Sequence, residues 1–262
     1  MKILAINGSH RGDNGHTRYL IDRVCAGATS AGAACEVVTL ASLKINRCIS
    51  CGTCNRSDHF LRCVFDDTDD VRSVFEKMRA ADVLIFASPV YIFTLSALLK
   101  TLLERIYATS DVFDMRVTKS GLLFHHVDPA LSSKPFVALI CCDSIEPEVT
   151  KNAVSYFRTY SRFNDAPLVG LLVRNGGRLA GHGRDPSRQE QVPRILDAYK
   201  AFEQAGKELA TGGRLRHITE RRASGNILPI PSIMLKVGMY FKPFREKVKE
   251  KARVSQRYDG EV

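Results

Sequence analysis

The chain has 262 residues, 45% of them hydrophobic, eight cysteines and a formal net charge of +10. No apolar run approaches the roughly 20 residues that cross a bilayer as a helix, which excludes that class of membrane protein. The length allows one large α/β domain or one domain with an appendage. Met1 leads straight into an apolar strand with no visible secretory leader. Eight cysteines without such a leader predict a reducing, cytoplasmic compartment, with thiols, metal ligands or redox groups in place of a disulfide scaffold.

The first element is a buried strand over Lys2–Ile6, followed by a polar glycine-punctuated loop and a helix over Thr17–Ala31. Ser9, Arg11, His16 and Thr17 are groups that a phosphate would bind, and Gly8, Gly12 and Gly15 loosen the backbone that presents them. The loop lacks the Lys of a triphosphate-binding P-loop and the spacing of a dinucleotide fingerprint. It points to the terminal phosphate of a mononucleotide, although an ordinary glycine-rich turn would look similar. Strand two is Cys35–Leu40. A cysteine-rich insertion follows over residues 47–67, then a helix over Asp69–Arg79 with Val71, Val74, Phe75 and Met78 on one face. Strand three is Val83–Ala87, with a helix at Leu95–Tyr107. Strand four is Phe136–Cys142, with a helix at Glu148–Tyr160. Strand five is Leu168–Val173, and a last helix runs over Gln189–Ala210 to a Gly212-Gly213 stop. His125-His126 has no partner at ligand spacing and reads as loop.

Strands that are apolar throughout, each followed by a helix, predict a parallel sheet covered on both faces. The fold class is therefore α/β, a flavodoxin-like doubly wound five-stranded sheet in the order 2-1-3-4-5. Ligands in such sheets lie at the carboxyl ends of the strands. The loops Asn7–Thr17, Ser88–Ser96 and Asp143–Glu148 should therefore meet. Ser88, Pro89, Val90, Tyr91, Ile92 and Phe93 offer a flat apolar wall beside a phosphate loop, a combination that suits flavin mononucleotide (FMN).

The cysteine insertion holds Cys48, Cys51 and Cys54 on one turn and Cys63 eight residues further on. Three close cysteines plus a fourth are the arrangement that holds a [4Fe–4S] cluster, whereas zinc favours two separated pairs. Free thiols remain the alternative. Cys25, Cys35, Cys141 and Cys142 lie in apolar patterns and read as buried core thiols.

Several stretches together resemble the NAD(P)H-dependent FMN reductase family, in particular its branch of iron–sulfur flavoproteins. They are Gly8-Ser9-His10-Arg11 with Gly15-His16-Thr17, Cys48-Ile49-Ser50-Cys51-Gly52-Thr53-Cys54, Cys63-Val64-Phe65-Asp66-Asp67, Ala81-Asp82, Ser88-Pro89-Val90-Tyr91, and Ser96-Ala97-Leu98-Leu99-Lys100 with Glu104-Arg105. The resemblance runs to about residue 175. It implies that Ser9, Arg11, Gly15, His16 and Thr17 bind the FMN phosphate. Ser88–Phe93 would line the isoalloxazine with Tyr91 beside the ring, and Asp143 would approach its other side. Hydride chemistry then belongs to the flavin, and no catalytic side-chain pair is expected.

The basicity is concentrated in residues 211–262, with 12 Lys+Arg against 5 Asp+Glu, leaving 26 against 23 in residues 1–210. The expected division is a flavin-binding domain over 1–210 and a basic arm over 211–262. The arm contains an exposed helix over Phe241–Arg257. It is expected to join subunits into a homo-oligomer, a dimer or tetramer, in preference to peripheral membrane contact; no motif favours nucleic acid. The function expected from all of this is NAD(P)H oxidation with electrons passed to a quinone, flavin or similar small acceptor. The alternative is an electron carrier, taking single electrons from a ferredoxin-like donor through a [4Fe–4S] cluster to FMN.

Overall fold

A computed structural model describes residues 1–185, 190, 192–228 and 232–257. In chain order the first elements are β1 (Lys2–Asn7), α1 (His16–Ser30), β2 (Ala34–Thr39), α2 (Val71–Ala80), β3 (Val83–Tyr91), β4 (Thr94–Leu95) and α3 (Ala97–Arg105). They are followed by β5 (Ser110–Val117), β6 (Leu123–Val127), α4 (Pro129–Ser132), β7 (Phe136–Cys141), α5 (Lys151–Phe163), β8 (Leu168–Arg174), α6 (Pro193–Gly212) and α7 (His217–Ser224). Five strands pair in parallel in the order β2-β1-β3-β7-β8. Counting these five alone, this is the expected flavodoxin-like sheet. The structure adds β4, which folds back antiparallel on β3, and a separate β5–β6 ribbon. His125 and His126 therefore lie in a strand and not in a loop. The last long helix begins at Pro193; the expected start at Gln189 lies outside the described residues.

The continuous apolar runs behave as buried strands should. Ile3–Ile6, Leu84–Ala87 and Phe136–Ile140 are all under 2% exposed, because helices cover both faces of the sheet. On one face Phe86, Phe136 and Phe157 pack ring to ring with centroids 5.6–6.0 Å apart. On the other, α1 and α6 cross closely. A Cβ placed on Gly206 would stand 1.9 Å from the Val24 carbonyl oxygen, and one on Gly27 would stand 1.8 Å from that of Glu203. Only glycine permits backbones to meet at that distance.

Two corrections concern covalent and domain structure. Cys25 and Cys35, expected as buried thiols, form a disulfide between α1 and β2, with Cα atoms 5.6 Å apart. The α1–β2 turn returns the chain alongside itself and brings the two residues together. Cys141 and Cys142 are buried thiols, as expected. The first compact unit runs over Met1–Gly225, past the boundary expected at 210. The reason is α7, which closes the outer edge of β8. Leu171 N–H donates to Glu220 Oε1 (2.7 Å) and Val173 N–H to Ser224 Oγ (3.0 Å), so edge donors meet side-chain acceptors. Arg174, 1% exposed, sends Nη1 to Ala223 O (2.8 Å) and Nη2 to Gly225 O (2.6 Å), tying the end of α7 to the end of β8. The second unit, Asn226–Val262, contains α8 (Ser232–Gly238) and α9 (Lys242–Arg257). Among the described residues no helix is long and apolar enough to cross a membrane.

Candidate functional site

The loop between β1 and α1 is wound tightly by its own polar groups. Ser9 N–H donates to Asn7 Oδ1 (3.2 Å), Arg11 N–H to Ser9 Oγ (3.2 Å), and Gly12 N–H to Ser9 O (3.0 Å). Gly15 then enters α1 in extended conformation (φ −86°, ψ 156°) and offers no capping side chain. The first turn carries no acidic residue either. Tyr19 N–H donates to Gly15 O as the first bond of the helix, so the N–H groups of His16, Thr17 and Arg18 precede the ladder. An uncapped helix start at the carboxyl end of a central strand is a place for an anion. A Cβ at position 15 would stand 2.6 Å from Ser9 Oγ, so any larger residue there must displace the Ser9 hydroxyl.

The side chains of this loop are placed unevenly. Arg11 is exposed. Ser9 is 2% exposed and its hydroxyl accepts from Arg11 N–H. Thr17 turns inward, with its hydroxyl 3.1 Å from Cys141 Sγ, which leaves its N–H at the helix end. His16 is buried, with Nε2 3.3 Å from the Tyr199 hydroxyl. Burial, with the fields of His182 and Arg174, pushes its pKa down to about 3. His16 therefore offers an anion its backbone N–H at the helix start and no positive charge at neutral pH.

The stretch Ser88–Ser96 is a hairpin and not a loop. Ser88 and Pro89 still pair in register with Ile140 and Cys141 of β7. Pro89 lies beyond the last β1 partner of β3, Ala87, where no N–H is needed on that side. Val90 pairs with Leu95 and Tyr91 with Thr94, around a two-residue turn of Ile92 (φ 44°) and Phe93 (φ 66°). A turn with two positive φ angles favours Asn-Gly, so a β-branched residue followed by an aromatic one is strained there. Both side chains are exposed, Ile92 by 87%. Ser88 Oγ accepts from Ser96 N–H (2.9 Å) and Ser96 Oγ caps α3 through Leu99 N–H (3.3 Å), which anchors the hairpin to the helix behind it. Tyr91 leans back over the first loop, with its ring 5.6 Å from that of His10.

Asp143 follows β7 and completes the meeting of three loops. Its Oδ1 lies 2.8 Å from His182 Nε2. Burial raises its pKa, but the His182 bond and the positive fields of His182 and Arg178 outweigh that and hold the carboxyl below its usual range. The partner comes from a segment the sequence reading passed over, Asn175–Asp185 after β8. It folds across the site: a Cβ at Gly177 would stand 2.8 Å from both Asp143 Oδ1 and His16 Nδ1, and Arg184 donates to Asp13 O (3.1 Å). The signal was present in Gly176-Gly177-Arg178 and Gly181-His182-Gly183-Arg184, a basic glycine-rich loop at the carboxyl end of the fifth parallel strand.

The cysteine insertion occupies the other end of α3. Cys48, Cys51, Cys54 and Cys63 line one pocket with Phe65, Arg105 and Tyr107, and all four are free thiols. Cys51 is open to solvent and its pKa is lowered by the Thr53 hydroxyl; that of Cys54 is raised by burial and the fields of Cys63, Cys51 and Cys48. Among the described residues no three His, Cys, Asp or Glu groups stand in an arrangement that holds a metal ion. The donor set, four thiols facing one cation, nonetheless fits an anionic iron–sulfur cluster by its chemistry. Arg105 anchors the insertion. It is 1% exposed, with Nη1 on Asp69 Oδ2 (2.5 Å) and Asn46 O (3.0 Å) and Nη2 on Asp66 Oδ1 (3.3 Å).

Sheet order, the uncapped α1 and three loops converging at the strands' carboxyl ends define a flavodoxin-like α/β protein. The sequence profile of the NADPH-dependent FMN reductases matches residues 1–142, more than half of the chain, and the chain belongs to that family. It is 35% identical over 121 residues to an iron–sulfur flavoprotein of Methanocaldococcus jannaschii, a match covering 46% of this chain and 60% of that protein. It is 38% identical over 106 residues to an iron–sulfur flavoprotein of Methanosarcina thermophila, covering 40% and 52%. The chain thus spans 60% or less of the length of these relatives. In fold it is similar to an FMN-dependent NADH-azoreductase from Bacillus anthracis, solved in complex with FMN. The TM-score is 0.58 at 14% identity, over 80% of this chain and 99% of that one.

Proposed function

We propose that the chain is an FMN-dependent oxidoreductase that draws electrons from NAD(P)H and delivers them to a quinone, a flavin or a similar small acceptor. The observation that carries this reading is the uncapped start of α1 facing the Ser88–Phe93 hairpin. When bound, FMN supplies hydride acceptance and electron release. The N–H groups of His16 and Thr17, with Ser9 and the exposed Arg11 guanidinium, would hold the phosphate, and Gly15 keeps room for it. Pro89 to Phe93 would present the wall for the flavin ring, with Tyr91 beside it. Asp143, kept ionised and aimed by His182, would fix the ring's polar edge. Membership of the NADPH-dependent FMN reductases and likeness to the iron–sulfur flavoproteins support the cofactor and the donor. The visible spectrum of the purified protein with added FMN tests it. A colourless protein that stays colourless overturns the reading.

The four-cysteine pocket favours a second reading, an electron carrier between a ferredoxin-like donor and FMN. Cys48, Cys51, Cys54 and Cys63 would then hold a [4Fe–4S] cluster. Rapid steady-state NAD(P)H oxidation with small acceptors supports the enzyme; slow turnover with rapid reduction by a ferredoxin supports the carrier. We place the protein in the cytoplasm as a homo-oligomer, with residues 226–262 as its joining arm.

A further inference from the structure

Arg105 is buried to 1% exposure, and its guanidinium meets three acceptors: Asp66 on the cysteine insertion and Asn46 and Asp69 on its two flanks. All of these bonds leave from Nη1 and Nη2. Nε carries a hydrogen, is buried, and has no partner among the described residues. A buried N–H without an acceptor is costly, the more so when the group is charged. The same side chain lines the pocket formed by Cys48, Cys51, Cys54 and Cys63. The Phe65 ring stacks against the guanidinium at 5.6 Å and limits its freedom to turn away. Asp66 binds the guanidinium through Oδ1 and Cys63 N–H through Oδ2 (3.0 Å), so the arginine and the fourth cysteine share one carboxylate as a spacer.

We propose that the Arg105 Nε–H donates a charge-assisted hydrogen bond to a sulfur of the cluster held by the four cysteines, setting its reduction potential and pinning the Cys63 end of the insertion. This rests on the cluster reading given above. Hydrogen bonds and positive charge at the sulfurs stabilise the more negative, reduced state of an iron–sulfur cluster. Arg105 is thus a positioning residue for electron transfer: two nitrogens build the loop and the third faces the redox centre.

The test uses the full-length chain, reconstituted anaerobically with iron and sulfide. In Arg105→Lys a methylene replaces the Nε–H while a cation still faces Asp69. Wild type and variant are expected to hold equal iron and labile sulfide. The one-electron reduction equilibrium of the variant should fall about tenfold, which is about 59 mV, in a titration followed by electron paramagnetic resonance. Equal potentials overturn the proposal. Should the variant fail to fold or load, wild type grown with 15N-arginine decides: the reduced cluster shows a 15N hyperfine coupling, and its absence overturns the proposal. Wild type that takes up no iron above background overturns the cluster reading and this inference together. Loaded wild type with neither effect overturns the role of Arg105 alone.

Discussion

At the level of single side chains, His16 contributes to the acid sensitivity of the fold. Its folded pKa is about 3 against an ordinary 6.5, because burial and nearby cations disfavour the imidazolium. The unfolded chain therefore takes up a proton below pH 6.5 that the folded chain refuses. Stability is full above that pH and falls as pH drops toward 3, by on the order of 5 kcal/mol in total and about 3 kcal/mol by pH 4. Thermal unfolding from pH 7 to pH 4 should show this loss, and His16→Gln should flatten it; equal slopes would refute the assignment. Gly15→Ala belongs to the same scale. Its methyl collides with Ser9 Oγ, so FMN affinity should fall at least tenfold in a fluorescence-quenching titration while the far-UV spectrum is kept. The loop's place between a buried strand and a helix was legible, although its residue types suit an ordinary glycine-rich turn as well as a phosphate site. Side-chain direction was not: Thr17 faces Cys141, a residue 124 positions away, and nothing local records that.

Among elements, the β3–β4 hairpin is held in a conformation its tip residues resist. Ile92 and Phe93 each sit at positive φ at a cost of about 1–3 kcal/mol. Replacing the pair by Asn-Gly should raise the melting temperature and weaken FMN binding at once. A stabilised variant that binds FMN as tightly as wild type would show the strain to be unrelated to the cofactor. The α1–α6 crossing makes the opposite prediction. Gly206→Ala presses a methyl against backbone that cannot move aside, costing about 3 kcal/mol. For a unit of this size that lowers the melting temperature by roughly 6–12 °C. The five parallel strands were readable because full burial writes itself as unbroken apolar runs. β4 is two residues long and β6 carries His125 and His126, so neither had such a run. The segment after β8 escaped because glycine-rich loops carry no periodicity, although its position at a carboxyl end was a usable clue.

For the whole molecule, the place where the first unit ends decides how the basic arm can be studied. Removal of everything after Thr211 takes away α7, which covers the β8 edge and holds Arg174, and exposes Leu171 and Val173 as a sticky margin. A chain ending at Gly225 keeps these bonds. It should stay folded and bind FMN, and light scattering should report a smaller particle if residues 226–262 join subunits. An unchanged mass per particle, after allowing for the deleted residues, would refute the arm's role. Charge distribution made the arm visible in the sequence, but the edge cover did not announce itself. Glu220 and Ser224 read as ordinary surface residues until β8 is set beside them.

The close crossing of α1 and α6 also orders events in time. α1 carries the residues at the start of the chain that face the anion site, and α6 comes from Pro193–Gly212. During synthesis the first helix must wait for some 180 further residues before its partner exists, which at 5–20 residues per second is roughly 10–40 seconds. Its apolar face, including Leu20, Ile21 and Val24, has no α6 to cover it until then. The anion pocket is thus among the first parts of the protein to be translated and among the last to be closed.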